Sequence, residues 1–392
     1  MFGNLHMNYI NQSGIVLASI LFWLLCIVCS PVTQAGADFP EGINQQRLFI
    51  VGQDLDSIRD YYNSECCVKP DGNTAYISLY NLLSEQQVFS ALGIDAAGDE
   101  LDFESDFGAG KANVRKTATE FPGGLAIGLE LVENHHPNAL SQLIDGHYDD
   151  HIGQLAHFIK IIDEPVWLRV GYEFDGMWNQ GYGDPEKYKA AYRHVVDKLR
   201  EANVENVGYV WQASTSPVDD MFEKRFEEIS TWYPGDAYVD WIGTSWFLTI
   251  DEGPAVATDY EPASQRELTD QVLEFARLRA KPVMIAESSP QGYDLAGNFN
   301  ANIAPVWDGK QKGDMKSLSD SEIWDAWFAP LFQYMNENED VIRALAYINA
   351  NWDAQPRWGA PHTEGYWGDS RLQANPEIAR RFNLAITRWR GR

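Results

Sequence analysis

Two glutamates, Glu173 and Glu287, each end a short apolar run of the sequence and are the residues best placed to do chemistry. The runs lie within residues 168–178 and 281–287. In a barrel of parallel strands, the C-terminal strand ends meet at the face that carries the active site. Two carboxyl groups at that face could act as proton donor and nucleophile on a glycosidic bond. The sequence therefore predicts a pair of catalytic carboxyl groups.

Strand alternation predicts the surroundings of each carboxyl group. Arg169 and Glu173 are expected on one strand face, with the guanidinium below the carboxyl group. Val283, Ile285 and Glu287 are expected on one face of the other strand, which would put Glu287 over an apolar floor. A guanidinium favours an ionised carboxyl group, whereas burial favours the neutral acid. Retaining hydrolysis needs one of each, about 5–5.5 Å apart.

Short apolar runs bounded by turn residues predict strands along the whole chain. They cover residues 48–53, 74–80, 125–132, 166–173, 207–214, 239–247, 283–289 and 342–352. Helical apolar periods lie between several of them, at residues 151–162, 186–202 and 268–279. This alternation predicts a single-domain α/β fold, a (β/α)8 TIM barrel. An open doubly wound sheet is the alternative, but no glycine-rich nucleotide motif follows the first run.

Residues 1–37 are expected to be a signal peptide. They contain no Lys, Arg, Asp or Glu, and an A-x-A pattern precedes Asp38. The missing basic residue leaves an uncleaved membrane anchor as the alternative, although the apolar run is shorter than the ~20 residues of a spanning helix. We therefore expect a secreted protein, extracellular or periplasmic, with residues 38–392 as its catalytic domain.

Charge and cysteine content exclude several classes of function. The net charge of −27 falls entirely within residues 38–392, so nucleic acid and anionic membranes are not expected as partners. The protein is expected to be a monomer. Only the adjacent Cys66 and Cys67 remain after cleavage, and we expect a thiol pair. No Cys/His spacing suits zinc and no G-x-S-x-G is present, so neither a metal nor a cofactor is expected.

The aromatic content points to a saccharide ligand. Aromatic residues form 13% of the chain, with 14 tryptophans, and the C–H faces of sugar rings pack on indole. Polar neighbours at the strand ends could bind the hydroxyl groups. The residues expected to contact substrate are Gln53, Arg169, Tyr172, Trp178, Trp211, Gln212, Trp246 and Trp352.

Residues 169–178 read RVGYEFDGMW and resemble the fourth-strand motif of glycoside hydrolase family 26, roughly R-x-x-H-E-[MF]-[ND]-G-x-W. Other segments resemble the family's sixth strand, its seventh strand and the turn before its third helix: residues 233–243, 281–287 and 146–150. The resemblance implies a retaining enzyme with Glu173 as acid/base and Glu287 as nucleophile.

The chain departs from the family pattern at three places. Tyr172 stands where the family usually has histidine, Phe247 stands at a tyrosine position, and Ser288 replaces the glycine after the nucleophile. The tyrosine normally bonds to the nucleophile, so that hydrogen bond must be replaced or absent here. These departures affect the expected substrate and leave both carboxyl groups in place.

Two hypotheses of function follow. The first is a secreted retaining β-glycoside hydrolase, endo-acting on β-mannan, β-1,3-xylan or β-glucan of plants or algae. The second is a non-catalytic glycan-binding barrel, whose usual mark would be the loss of a catalytic carboxyl group. Both carboxyl groups are present, which favours the enzyme.

Overall fold

Eight parallel strands close into a barrel, and neighbours in the barrel are neighbours along the chain. They are β1 (Leu48–Gly52), β2 (Gly72–Ser78), β3 (Gly124–Glu130), β4 (Val166–Val170), β5 (Val207–Gln212), β6 (Trp241–Trp246), β7 (Val283–Ser288) and β8 (Ile342–Ile348). β1 pairs with both β2 and β8, which closes the ring. The predicted (β/α)8 barrel is confirmed, and the open sheet is wrong.

A computed structural model describes most of the chain after residue 45. The described residues are 46–83, 92–95, 97–106, 108–162, 164–176, 178–216, 229–247, 263–301, 315–363 and 365–391. The expected signal peptide, residues 1–37, lies outside them. Within these ranges, no helix has the length and apolar character needed to cross a membrane.

Helices follow the strands and cover the outside of the barrel. They are α1 (Leu55–Asn63), α2 (Val114–Glu120), α3 (Ala139–Ile144), α4 (Asp149–Ile161), α5 (Pro185–Glu201), α6 (Gln265–Leu278), α7 (Asp320–Ile323), α8 (Ala329–Glu337) and α9 (Pro376–Arg390). A π-helical turn, Trp324–Phe328, joins α7 to α8. Two-residue strands pair in the loops at residues 105–106 with 111–112, and at 293–294, 299–300 and 316–317.

The predicted helices form because their ends are capped and their apolar stripes are buried. Before α5, the Asp184 side chain accepts hydrogen bonds from the backbone N–H of Glu186 and Lys187, and Pro185 occupies the first turn. Ser264 and Glu267 form a reciprocal capping box at the start of α6. The buried stripe of α5 consists of Tyr188, Ala191, Tyr192, Val195, Val196 and Leu199.

Alternate side chains of each strand enter two different cores. The inner core fills the barrel and consists of Leu48, Ile50, Ala126, Trp167, Val210, Trp241, Met284, Ala286, Ala344 and Ala346. The indoles of Trp167 and Trp241 meet edge to face in it, with centroids 6.5 Å apart. The outer core packs the other strand faces against the helices. The inner core lies directly below the strand-end residues and supports them.

The sulfur atoms of Cys66 and Cys67 are bonded to each other. The expectation of a thiol pair is therefore wrong. The two residues lie between α1 and β2, at the end of the barrel opposite the C-terminal strand ends. They are thus separate from the site described below.

Candidate active site

The carboxyl group of Glu173 is placed by a turn that follows β4. The strand ends at Val170, and Gly171 and Glu173 adopt left-handed φ values of 53° and 52°. The carbonyl oxygen of Glu173 accepts hydrogen bonds from the Gly176 N–H at 2.8 Å and from Asn179 Nδ2 at 2.8 Å. Glu173 is not part of the strand, so its position depends on this turn and not on the expected strand alternation.

The side chain of Glu287 reaches the barrel mouth because β7 is irregular. Ala286 packs in the inner core, so simple alternation would put Glu287 on the outer face. The pairing with β6 shifts at this point, and Ser245 lies opposite Glu287. Such a bulge re-aims the side chain that follows it. The expected shared face of Val283, Ile285 and Glu287 is wrong, since the first two belong to the outer core.

A fully buried arginine binds Glu287 from below. Arg169 Nη1 donates to Glu287 Oε1 at 2.6 Å and to Gln212 Oε1 at 3.0 Å. The guanidinium carbon lies 4.8 Å from the ring centroid of Tyr76 and 5.0 Å from that of Tyr172. Burial acts to lower the pKa of Arg169, but the neighbouring Tyr76 and Glu287 raise it overall. Glu287 therefore faces a permanent positive charge.

Space for this arginine comes from a glycine on β3. A Cβ atom on Gly128 would lie 2.6 Å from Arg169 Nη2 and 2.8 Å from Tyr76 Cδ1. It would also lie 3.1 Å from Tyr172 Cε1. Only glycine leaves room for the guanidinium and both phenol rings at this position.

Glu173 has different partners from Glu287. Its Oε1 accepts a hydrogen bond from Ser245 Oγ at 2.8 Å, and its Oε2 accepts one from Trp178 Nε1 at 3.2 Å. Gln212 Nε2 in turn donates to Ser245 Oγ at 3.1 Å. Burial and the nearby charge of Glu287 raise the pKa of Glu173 well above its usual value. The site thus combines a carboxyl group that favours its protonated form with one that is ion-paired.

Two acidic residues near this pair were not singled out from the sequence. Glu130 ends β3 on the face that also carries Ala126 and Gly128, and burial raises its pKa to about 7. No hydrogen bond to its carboxyl group is found among the described residues. The sequence feature that could have identified Glu130 is its position at a strand end, on the same strand face as Gly128. Asp175 accepts from the backbone N–H of Thr215 at 3.2 Å and so joins the β4 turn to the loop after β5.

Of the four tryptophans expected to contact substrate, Trp178 lies open beside the carboxyl pair. Its side chain is 44% exposed. Trp211 and Trp246 are fully buried in the outer core. Trp211 stacks on Phe174 with centroids 4.4 Å apart, and Trp246 packs on Tyr334 at 5.1 Å. Their expected role as platforms is wrong, because they point away from the mouth.

Trp352 is also buried, within an aromatic cluster beyond β8. Its Nε1 donates to Ser289 Oγ at 3.2 Å and to Ser370 Oγ at 3.0 Å. Its ring lies 4.8 Å from that of Trp367, which also meets Phe247 at 5.2 Å. The expectation that a sugar stacks on Trp352 is therefore wrong; the residue supports the loop instead.

Of the remaining expected contacts, Gln53 and Tyr172 lie at the mouth, whereas Arg169 and Gln212 are fully buried below it. Tyr172 and Gln53 are half-buried, at the ends of β4 and β1, and Gln212 is fully buried beneath the carboxyl pair. Among the residues that the structure describes, no three His, Cys, Asp or Glu side chains form a group that could hold a metal ion.

Sequence comparisons relate this barrel to a known family. Residues 126–262 match the sequence profile of glycosyl hydrolase family 26. The chain is 34% identical over 347 residues to β-1,3-xylanase TXYA of a Vibrio species, covering 88% of this chain and 65% of that protein. It is 34% identical over 342 residues to a β-1,3-xylanase of an Alcaligenes species, covering 86% and 63%. The chain thus spans slightly less than two thirds of these relatives.

A solved structure agrees with the fold. The family 26 β-mannanase of Bacteroides ovatus superposes with a TM-score of 0.53 at 15% identity, covering 88% of this chain and 91% of that chain. At this level of identity the likeness establishes the barrel fold alone.

Proposed function

We propose that this protein, which is glycoside hydrolase family 26-like in sequence and fold, is a retaining β-glycoside hydrolase with Glu173 as acid/base and Glu287 as nucleophile. One observation carries the proposal. Ser245 is the β-sheet partner of Glu287 and also donates a hydrogen bond to Glu173, so both carboxyl groups flank one residue at the barrel mouth. Their surroundings differ in the sense that double displacement needs.

In the first step, a carboxylate oxygen of Glu287 attacks the anomeric carbon while Glu173 gives its proton to the departing glycosidic oxygen. The C–O bond of the substrate breaks and an ester to Glu287 forms. The raised pKa of Glu173 favours its protonated form, which holds the proton that the departing oxygen takes up. The ion pair with Arg169 holds Glu287 in place for the attack.

In the second step, the Glu173 carboxylate takes a proton from water and the water oxygen attacks the same carbon. The ester bond breaks and Glu287 returns as a carboxylate, facing Arg169 again. Two inversions leave the product with the configuration of the substrate. The exposed indole of Trp178, held beside Glu173, gives a sugar ring a flat surface on which to pack.

We further propose that the substrate is β-1,3-xylan, cleaved within the chain, and that the enzyme is secreted. The substrate is that named for the two relatives at 34% identity. β-Mannan ranks lower because the mannanase likeness rests on the fold. Secretion is supported by residues 1–37, which contain no Lys, Arg, Asp or Glu and include an apolar run at residues 15–29.

The test is reducing-sugar release by residues 38–392 from β-1,3-xylan, β-1,4-xylan, β-mannan and mixed-linkage β-glucan. We expect activity on β-1,3-xylan that Glu173→Ala and Glu287→Ala each reduce by about 10³-fold or more. Glu186→Ala, at an exposed position on α5, is the control and should retain full activity. NMR of the first product should show the β-anomer.

Other outcomes would overturn specific parts of the proposal. Activity that survives either substitution removes that residue from the mechanism. An α-anomer as first product excludes the retaining route. Binding of a polysaccharide without turnover on any of them replaces the enzyme by the glycan-binding alternative.

A further inference from the structure

We propose that Arg169, Gln212 and Ser245 form a one-directional hydrogen-bond chain that keeps the acidic proton of Glu173 on Oε2, the oxygen on the cleft side. Ser245 and Gln212 then act as positioning residues for proton transfer. The inference rests on the proposed role of Glu173 as acid/base.

The arginine sets the direction of the chain. A guanidinium has donors and no acceptor, so the Gln212 atom 3.0 Å from Arg169 Nη1 must be the carbonyl oxygen of the amide. The amide nitrogen therefore points the other way, to Ser245 Oγ at 3.1 Å. Gln212 is fully buried, so water cannot stabilise the flipped amide.

The serine passes this direction on to Glu173. Ser245 Oγ already accepts from Gln212, and its single hydrogen must go to another acceptor. Glu173 Oε1 lies 2.8 Å away, and Ser245 is 1% exposed. A proton on Oε1 would face the hydroxyl hydrogen of the serine. Oε1 is thus held as an acceptor.

The other oxygen is free to exchange a proton with substrate. Glu173 Oε2 accepts from Trp178 Nε1 at 3.2 Å, and this exposed indole marks the cleft side of the carboxyl group. A protonated Oε2 can still accept from the indole while it donates to a glycosidic oxygen. The chain therefore selects the oxygen that is in reach of the leaving group.

The hydrogen-bond chain acts against the groups that raise the pKa of Glu173. Burial, then the charge of Glu287 and that of Asp175, raise the pKa of Glu173. The hydrogen bond from Ser245 and the positive charge of Arg169 lower it. The phenol of Tyr76, on β2, also faces this group. Loss of the serine hydroxyl should raise the pKa of Glu173 further, because a donor to the ionised form is removed.

The chain also connects the two carboxyl groups. Arg169 Nη1 donates to Glu287 Oε1 and to Gln212 Oε1. When Glu287 becomes an ester, its negative charge is lost and the guanidinium retains Gln212 as an acceptor. Polarisation of Gln212 and Ser245 towards Glu173 then favours the ionised form of Glu173, which the second step requires.

The first test needs no substrate. The carboxyl carbon of Glu173 is followed by NMR titration of glutamate-¹³C-labelled protein, and Glu173→Gln assigns the signal. We expect Ser245→Ala to raise the pKa of Glu173 by about one pH unit, as for loss of a hydrogen bond to a charged group. Ser245→Thr keeps the hydroxyl and should restore the wild-type value.

The matched control is Thr244→Ala, on the same strand. The Thr244 hydroxyl lies 2.8 Å from that of Thr215, and among the described residues it forms no hydrogen bond with Glu173. Its removal should leave the pKa of Glu173 unchanged. An unchanged pKa in Ser245→Ala, or an equal rise in Thr244→Ala, would overturn the chain.

The second test measures kinetics on an aryl glycoside. For Ser245→Ala and Gln212→Leu we expect the alkaline limb of kcat/KM to move upward by about one pH unit, with kcat and KM falling together because the ester accumulates. If the Ser245→Ala enzyme were fully active and its pH profile unchanged, the hydrogen-bond chain would be overturned and the proposed function would stand. Wild-type protein that is inactive on every substrate would overturn the proposed function, while the titration still judges the chain.

Discussion

At the residue scale, the two carboxyl groups differ in what touches them. Glu287 meets a guanidinium at 2.6 Å, whereas Glu173 meets a hydroxyl and an indole N–H. A buried carboxyl group with neutral donors and a second carboxylate nearby favours its protonated form. The residue types alone could not distinguish the two roles, because both are glutamates that end apolar runs.

Chemical rescue by azide should separate the two roles. With a dinitrophenyl glycoside, whose leaving group needs no acid, Glu173→Ala should still form the ester, and azide should release it as a β-glycosyl azide. Glu287→Ala should instead give an α-glycosyl azide, because azide attacks the substrate directly. NMR of the azide products decides the matter. The reverse pattern of anomers would exchange the two assignments.

Glu130 should make the stability of the protein depend on pH. Its folded pKa is about 7 against an ordinary value of 4.5 for glutamate, so the folded state favours the protonated form. The contribution of protonated Glu130 to folding stability is complete below about pH 4.5 and is lost as pH rises through 7. Relative to wild type, Glu130→Gln should gain at most about 2 kcal/mol of unfolding free energy between pH 5.5 and 8.

Urea unfolding at the two pH values measures this gain. The control is Glu201→Gln, at an exposed position at the end of α5, which should show no pH-dependent difference from wild type. A Glu130→Gln variant that loses stability as pH rises would show that the carboxylate is stabilised in the folded state.

At the scale of elements, the site depends on how neighbouring strands are adjusted to one another. The bulge in β7 brings Glu287 inward, and a glycine in β3 leaves space for the arginine of β4. Neither adjustment can be made by one strand alone. The two adjustments depend on each other, because Gly128 leaves space for the guanidinium that pairs with Glu287.

Gly128→Ala should lower both activity and stability. Its Cβ atom would lie 2.6 Å from Arg169 Nη2, so the guanidinium must move relative to Glu287. We expect a loss of about 1–3 kcal/mol in unfolding free energy, typical of overpacking, together with a lower kcat/KM. Urea unfolding and initial rates measure the two effects.

Gly153→Ala is the matched control. Gly153 lies within α4, and a Cβ atom there would meet nothing within 4 Å. Alanine should stabilise the helix by about 0.5–1 kcal/mol and leave kcat/KM unchanged. Equal effects of the two substitutions would show that the space beside Arg169 is not what matters.

At the scale of the whole molecule, aromatic side chains are divided between the cleft and the core. Trp178 remains open at the mouth, whereas Trp211 is enclosed between β5 and the surrounding elements with Phe174, Tyr233 and Phe275. The high tryptophan content therefore serves packing as well as any ligand. Stability and substrate affinity should respond to different tryptophans.

Substitution of Trp211 by leucine should lower stability, whereas substitution of Trp178 by leucine should weaken substrate binding. Trp211→Leu should cost about 2–4 kcal/mol of unfolding free energy and leave KM of the folded enzyme unchanged. Trp178→Leu should change stability by less than about 0.5 kcal/mol and raise KM about tenfold. Denaturant unfolding and steady-state kinetics measure both. A rise in KM for Trp211→Leu without loss of stability would return that residue to the cleft.

The sequence by itself determined the barrel, because its evidence is local. Apolar runs at strand length and amphipathic helical periods appear in the chain order that a (β/α)8 fold requires, and β1 to β8 begin close to the predicted positions. The placement of Glu173, after β4, and of Glu287, near the end of β7, at one face of the barrel also follows from the sequence, since the C-terminal ends of parallel strands meet there. Their catalytic roles stay a prediction.

Only the tertiary structure decided which way the side chains point. The inward position of Glu287 depends on a register shift against β6, and that of Glu173 on a left-handed turn after β4. The burial of Trp211 depends on elements that pack against the outer strand face. Alternation along one strand carries no information about its neighbours. Contacts between strands and helices, which are distant in sequence, therefore settled what the local pattern could not.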